Sequence, residues 1–413
     1  MAVKQKRRIT ADDLYKLQLI TYAEISPDGR YVIYCVQRVD PKTKKKYSNL
    51  WIVSTEDKSG WQFTYGNHVD REPHWSPDGM EIAFLSNRAD ENQFQIYIIS
   101  IKGGEARPLT NLSGEIEMFR WSPDGKKFVL QHRKMDQEAE ERKKNEDKKK
   151  LGIVYRQIDR LFYKLDGYGY LPKERWHIWV VDSRTGKATA LTNDPIYDDL
   201  EPNWSTDSKH IIYCSNHSEQ PDIDFEAIDL FVVPLTGGTP QKFITPEGPK
   251  SLPTYSPNGK WIAYLGRDGK GDEWKNTNLW IAPVDGSEPP RNLTGGVDIH
   301  TTSWTINDLG SPTQMAPTWD QDGQRIYFQV ARHGKTLLCS IQKDGTGYQT
   351  EIDQPGVVGA YTFDRSYDKL VYFWGTMMDP GQLMLTDLKS HKTISLTRLN
   401  SELLDALDLG QID

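Results

Sequence analysis

Cysteine is scarce in this chain, and long apolar runs are missing. Three cysteines stand among 413 residues. Cys35 and Cys214 occupy equivalent places in two copies of a repeat, so they are expected to lie too far apart to bridge. Cys339 falls on a different strand of another copy. All three read as reduced and buried, which points to a cytoplasmic protein. No run of 18 apolar residues occurs, so no membrane-spanning helix is expected. The start, MAVKQKRRITADD, is basic but has no apolar stretch behind it and does not read as a secretory signal. The net charge of -7 argues against a general nucleic-acid binder.

Catalytic signatures are also missing. There is no Gly-x-Ser-x-Gly elbow, no phosphate loop and no His-Glu-x-x-His. The nine histidines are scattered singly; His210 and His217 read as surface or packing residues. The acidic groups Asp198, Asp199, Glu201 and Asp222, Asp224, Glu226 read as solvated loop residues. Glu24, Glu72, Glu117 and Glu201 at strand starts give a channel-metal enzyme a small footing. The expectation is nevertheless no metal and no cofactor.

What is present is a repeat. His74–Arg88 reads HWSPDGMEIAFLSNR: a strand end, a Ser-Pro-Asp-Gly turn, then a short apolar strand. Ser and Asp can bond their own backbone, Pro presets φ, and Gly tolerates positive φ. Six relatives place the Asp-equivalent at 28, 124, 207, 258, 322 and 366. In the last, Ser366 and Tyr367 replace Asp-Gly. The second half of each repeat is an apolar strand, a Gly turn and an ending such as Leu-Thr, as in QIYIISIKGGEARPLT. Spacings near 40–50 residues match a four-stranded propeller blade. The expected fold is all-β: a seven-bladed β-propeller of four-stranded antiparallel blades over 19–397. The ring is expected to close without strand swapping, leaving a seam that opens more easily than the others. The 13 Trp and 20 Tyr recur at equivalent positions, as packing between blades requires.

Outside the repeat, Thr10 and Asp13 predict a helix start in an N-terminal helical segment, 1–18. A partly helical insertion, 135–175, interrupts blade three. Its first part is nearly all charge and reads as a solvated helix or loop. Its second part, LGIVYRQIDRLFYKLDGYGYLPKERW, is too aromatic for plain solvated loop and is expected to pack over one mouth of the ring. A second insertion lies between Pro289 and Pro317. Residues 398–413 read as the start of a linker, with Leu403, Leu404 and Leu407 on one helical face.

The W-S-P-D-G-x-x-I-A-F repeat, followed by I-Y, Gly-Gly and Leu-Thr, resembles that of TolB-like proteins and prolyl oligopeptidase-family serine peptidases. Arg160–Tyr170 (RLFYKLDGYGY), with HIWVVD after it, is similar to the acylaminoacyl-peptidase branch. The resemblance covers essentially the whole chain. It implies a non-catalytic propeller that gates oligopeptides for a C-terminal α/β-hydrolase domain carrying a Ser-Asp-His triad. No triad residue lies within these residues, so the chain is not itself expected to be an enzyme, whereas its full-length parent is expected to be a serine-type peptidase. Partners implied are that hydrolase domain and short peptides, with no nucleic acid and no membrane; a homo-oligomer stays open. Arg156, Arg160, Tyr163, Tyr168 and Tyr170 are the candidates for lining the gate. The alternative is a stand-alone TolB-like scaffold that binds protein partners.

Overall fold

Each repeat begins with a turn that its own side chains tie. In the computed structural model, which describes residues 6–271, 274–303 and 314–410, Ser26 Oγ donates to Asp28 Oδ1 (2.6 Å) and accepts from Tyr31 N (3.0 Å). Ser76–Asp78, Ser122–Asp124, Ser205–Asp207 and Ser256–Asn258 repeat the side-chain bond at 2.6–2.8 Å. The next residue is always left-handed: Gly29, Gly79, Gly125, Gly259 and Gly323 have φ of 65–73°, and Ser208 and Tyr367 have 59° and 55°. The degraded seventh copy keeps the turn by exchanging roles. Asp364 stands at the serine position and accepts from Asp368 N and Lys369 N, while Ser366 donates to it.

The strand after each turn is apolar on both faces, because a sheet covers each side. Tyr31–Val39 has residues 32–36 buried, and Glu81–Asp90 has 82–86 buried. Four sequential antiparallel strands follow one another as neighbours: Leu19–Ile25, Tyr31–Val39, Lys46–Ser54 and Gly60–Gln62 form the first such sheet. The recurrent Leu-Thr ending closes it. Thr64, Thr192, Thr294 and Thr397 each turn a buried hydroxyl to accept a third-strand N–H, from Leu50, Ile178, Leu279 and Leu383, at 2.9–3.0 Å.

The chain forms two compact units, residues 1–108 with 297–413, and residues 109–296. In the second, three four-stranded sheets follow one another, starting at Gly114, Asp199 and Lys250. They pack through Val129, Ile178, Trp204 and Tyr213, then through Ile212, Cys214, Tyr264 and Trp280. Trp204 Nε1 donates to the carbonyl of Arg120 in the preceding sheet, 3.2 Å away.

In the first unit two four-stranded sheets start at Leu19 and Asp70, and an eight-stranded sheet runs from Thr318 to Ser395. The latter is two quartets joined at one parallel bridge, Thr336 to Val357. The last quartet, Val357–Phe363 through Lys392–Ser395, contains no N-terminal strand. It packs directly on the first, through Ile20, Val32, Tyr34, Val371, Leu383 and Leu396. Polar clasps reinforce this contact: Lys369 Nζ reaches Gly29 O (2.9 Å) and Thr55 Oγ1 (3.0 Å).

The ends of the chain are held there too. Ala11–Tyr15 is a 3-10 helix; the Asp13 carboxylate accepts from Thr10 N (2.9 Å) and takes Arg7 on both oxygens. These bonds keep its pKa far below the usual carboxylate range. Ser401–Asp405 is helical, but Leu407 is not on its face. Leu407–Asp408 is a strand paired in parallel with Arg7–Arg8, and Leu407 is buried. Asn400 accepts from Gln18 N and donates to Gln18 O, both at 2.8 Å. Of the second insertion, residues 304–313 lie outside the described residues.

Candidate functional site

The insertion leaves the sheet after Lys134 and returns at Trp176. Its charged first part forms two short helices, Gln137–Lys144 and Glu146–Leu151, without a buried residue. Asp136 and Asn145 cap them by accepting from Ala139 N (2.7 Å) and from Asp147 N and Lys148 N (both 3.0 Å).

The aromatic residues of the second part stay at the surface. Leu151, Val154, Tyr155, Leu161, Tyr163, Tyr168 and Tyr170 are all exposed, Tyr155 to 78%. The segment forms a small hairpin, Lys164–Leu165 against Gly169–Tyr170. One carboxylate holds this exposed apolar arm. Asp222 accepts from Arg160 Nη2 (2.9 Å) and Nε (3.2 Å) and from Leu161 N (3.0 Å) and Phe162 N (3.3 Å). Burial opposes ionisation of Asp222, but Arg160 and these N–H groups outweigh it and lower its pKa. Phe162 meets Phe225 edge-on at 6.4 Å, and Ile223 and Phe225 extend the exposed apolar surface.

Of the five residues singled out, three come together. The Arg156 guanidinium lies over the Tyr170 ring at 4.2 Å, and Tyr163 is 6.3 Å from Tyr170. Arg160 faces Asp222 instead, as the anchor of the arm. Tyr168 sits apart, exposed in the hairpin turn. Asp222 was legible only as one of an acidic group read as solvated, and that reading is corrected. Glu226 is buried, bonded to Arg267 and accepting from Gly271 N (2.5 Å). Asp198 accepts from Trp176 N (2.9 Å) and pairs with Arg175 (3.1 Å), and Asp199 is buried.

Two of the strand-start glutamates, Glu24 and Glu201, join neighbouring sheets. Glu24 holds His74 Nδ1 at 2.7 Å and accepts from Trp75 N at 3.0 Å. Glu201 accepts from Leu252 N at 2.5 Å; burial pushes its carboxyl pKa up, and that N–H pulls it part way back. Glu72 pairs with Arg71. Among the described residues, no group of three or more His, Cys, Asp and Glu side chains is arranged to hold a metal ion. His217 is a packing residue, stacked at 4.1 Å on both Tyr197 and Phe231. Cys35, Cys214 and Cys339 are buried free thiols.

The four-stranded antiparallel sheets make an all-β, propeller-like fold, and the curated proteins most of this chain is similar to are peptidases. Residues 8–154 match the family model of the TolB beta propeller domain. The chain is 28% identical over 354 residues to the uncharacterized peptidase YuxL of Bacillus subtilis, covering 84% of this chain and 52% of that protein. It is 24% identical to dipeptidyl-peptidase 5 of Porphyromonas gingivalis, over 97% of this chain and 57% of that one. It thus spans about half the length of these curated relatives. Two solved structures share the fold. The Pyrococcus horikoshii acylaminoacyl peptidase superposes with a TM-score of 0.72 at 17% identity, over 95% of this chain and 55% of that one. The propeller domain of the Pyrococcus furiosus Trilobed protease, described as having an open velcro topology, gives 0.63 at 16% identity, over 94% and 97%.

Proposed function

We propose that this chain is the non-catalytic propeller of a cytoplasmic serine peptidase of the acylaminoacyl- or dipeptidyl-peptidase type. In this reading it selects short peptides for an α/β-hydrolase domain that lies beyond these residues. The observation that carries it is the similarity to a peptidase over 84% of this chain and only about half of that relative. The sheets, counted as quartets, form a seven-bladed ring that closes without strand exchange. The contact of the last quartet with the first supports this. The three buried free cysteines suit a reducing compartment. The arm, with Arg156, Tyr163 and Tyr170 on one cluster and Arg160 as its anchor, faces peptide or hydrolase domain.

The test compares two proteins on N-acetylalanine p-nitroanilide and on peptides of increasing length. The chain alone is expected to show no turnover, and the full-length gene product to cleave short peptides only. Turnover by the chain alone would end the division of labour. In the full-length enzyme, Arg156→Ala is expected to raise activity on long peptides relative to short ones. An unchanged length profile would remove the arm from the gate.

A further inference from the structure

A second feature lies between the sheets that start at Asp199 and Lys250. A cavity of about 800 Å³ opens there, lined by the turns at 205–207 and 258–259, by 241–244 and by 282–290. That volume lies within the range of about 300–1,000 Å³ usual for small-molecule sites.

The cavity opens where the repeat departs from its own pattern. Trp75 and Trp204, the residues before their turns, each donate Nε1–H to a carbonyl of the preceding sheet, at 3.1 and 3.2 Å. In the next copy Tyr255 takes that place, makes no such bond and lines the cavity. Thr192, Thr294 and Thr397 each clasp a third-strand N–H, but the matching residue after Phe243 is Ile244, which is 73% exposed in the lining. Thr206 stands where the other Ser-Pro turns have Pro27, Pro77, Pro123 and Pro257. Breaks in a local rule are expected at functional sites.

Most charged side chains of the lining are already engaged. Asp207 accepts from Ser205 Oγ (2.6 Å) and Lys209 N (3.0 Å), Asp285 accepts from Ser287 N (3.0 Å), and Lys242 pairs with Asp229 (2.5 Å). Glu288 and His210 are exposed. In contrast, the side chains of Thr206 and Gln241 and the Tyr255 hydroxyl bond to none of the described residues. Burial raises the Tyr255 pKa and Asp207 adds to the rise, so the phenol keeps its proton. Hydroxyls and an amide both donate and accept, and saccharide hydroxyls have the same double character. Phe243 and Tyr255, half-buried, offer ring surface to sugar C–H groups. An anion would meet Asp207, Asp285 and Glu288, and a cation would find its unpaired carboxylate, Glu288, in solvent, where attraction is weak. We propose that this cavity is a binding site for a neutral oligosaccharide. The proposal does not rest on the peptidase reading.

The probes are maltotriose, cellotriose and xylotriose, each titrated into the chain while its backbone amides are followed by NMR. At least one is expected to give saturable shifts in the millimolar range, confined to 205–210, 241–244 and 282–288. The cationic glucosamine trimer should bind more weakly. Tyr255→Trp restores the residue of the other copies and fills the cavity, so it should weaken the sugar by about tenfold or more while the melting temperature holds. Thr206→Pro, which restores the other turns, should weaken it as well. No saturable shift with any of the neutral probes would overturn the proposal. Tighter binding of the cationic trimer would overturn it too, by showing that the carboxylates merely attract positive charge. Both results are read on the unsubstituted protein. Unchanged affinity in Tyr255→Trp would place the sugar elsewhere.

Discussion

At the scale of single residues, the repeat is a set of small hydrogen-bonding devices. Gly79 has φ of +73°, a region costing an L-residue about 1–2 kcal/mol. Gly79→Ala is expected to lower stability by about that much in urea unfolding, because its Cβ meets nothing closer than Pro27 at 3.6 Å and adds only backbone strain. Thr294→Val keeps the side-chain shape but strands the buried N–H of Leu279, at about 1–3 kcal/mol. Hydrogen exchange at the Leu279 amide should rise with it. His132 gives a pH signature. Its folded pKa of about 4 lies below the usual 6.5, so the unfolded chain binds the proton first. Stability is complete above pH 6.5 and falls as pH drops towards 4, by about 3 kcal/mol at most. His132→Phe should lose this part of the slope between pH 7.5 and 4.5.

At the scale of elements, the arm separates a signal that was readable from one that was not. Its aromatic density announced a special segment, and its aromatic side chains are exposed. What positions it is Asp222, sixty-two residues from Arg160 and indistinguishable in sequence from a solvated acid. Asp222→Ala is expected to speed tryptic cleavage at Arg160 and Lys164 on the order of tenfold, matching the loss of about 1.4 kcal/mol of local closure. The melting temperature of the sheets should barely change. Equal cleavage rates would mean that the arm holds itself.

At the scale of the molecule, the unswapped joint between first and last quartets is the informative feature. Without a shared strand, such a seam was expected to open more easily than the others. The structure adds bonds there that the repeat does not predict: Lys369 to Gly29 and Thr55, and Asn400 to both backbone groups of Gln18. Asn400 sits at φ of +64°, so Asn400→Gly keeps the backbone comfortable and removes only the two bonds. A loss of about 1–3 kcal/mol is expected, with faster hydrogen exchange confined to 6–25 and 396–410. Uniformly faster exchange would show that opening there is global.

The sequence by itself determined the turns, the strands and their four-by-four grouping, because the Ser-Pro-Asp-Gly turn, the run of buried apolar residues and the Leu-Thr ending each act within 15 residues. It also carries the similarity to peptidases, which rests on those same local motifs. Only the tertiary structure decided which acids are structural, where the arm is anchored, and that Thr206, Ile244 and Tyr255 line one cavity. Those facts depend on side chains brought together across tens to hundreds of residues, and no local pattern records which distant partner a carboxylate or an imidazole will meet.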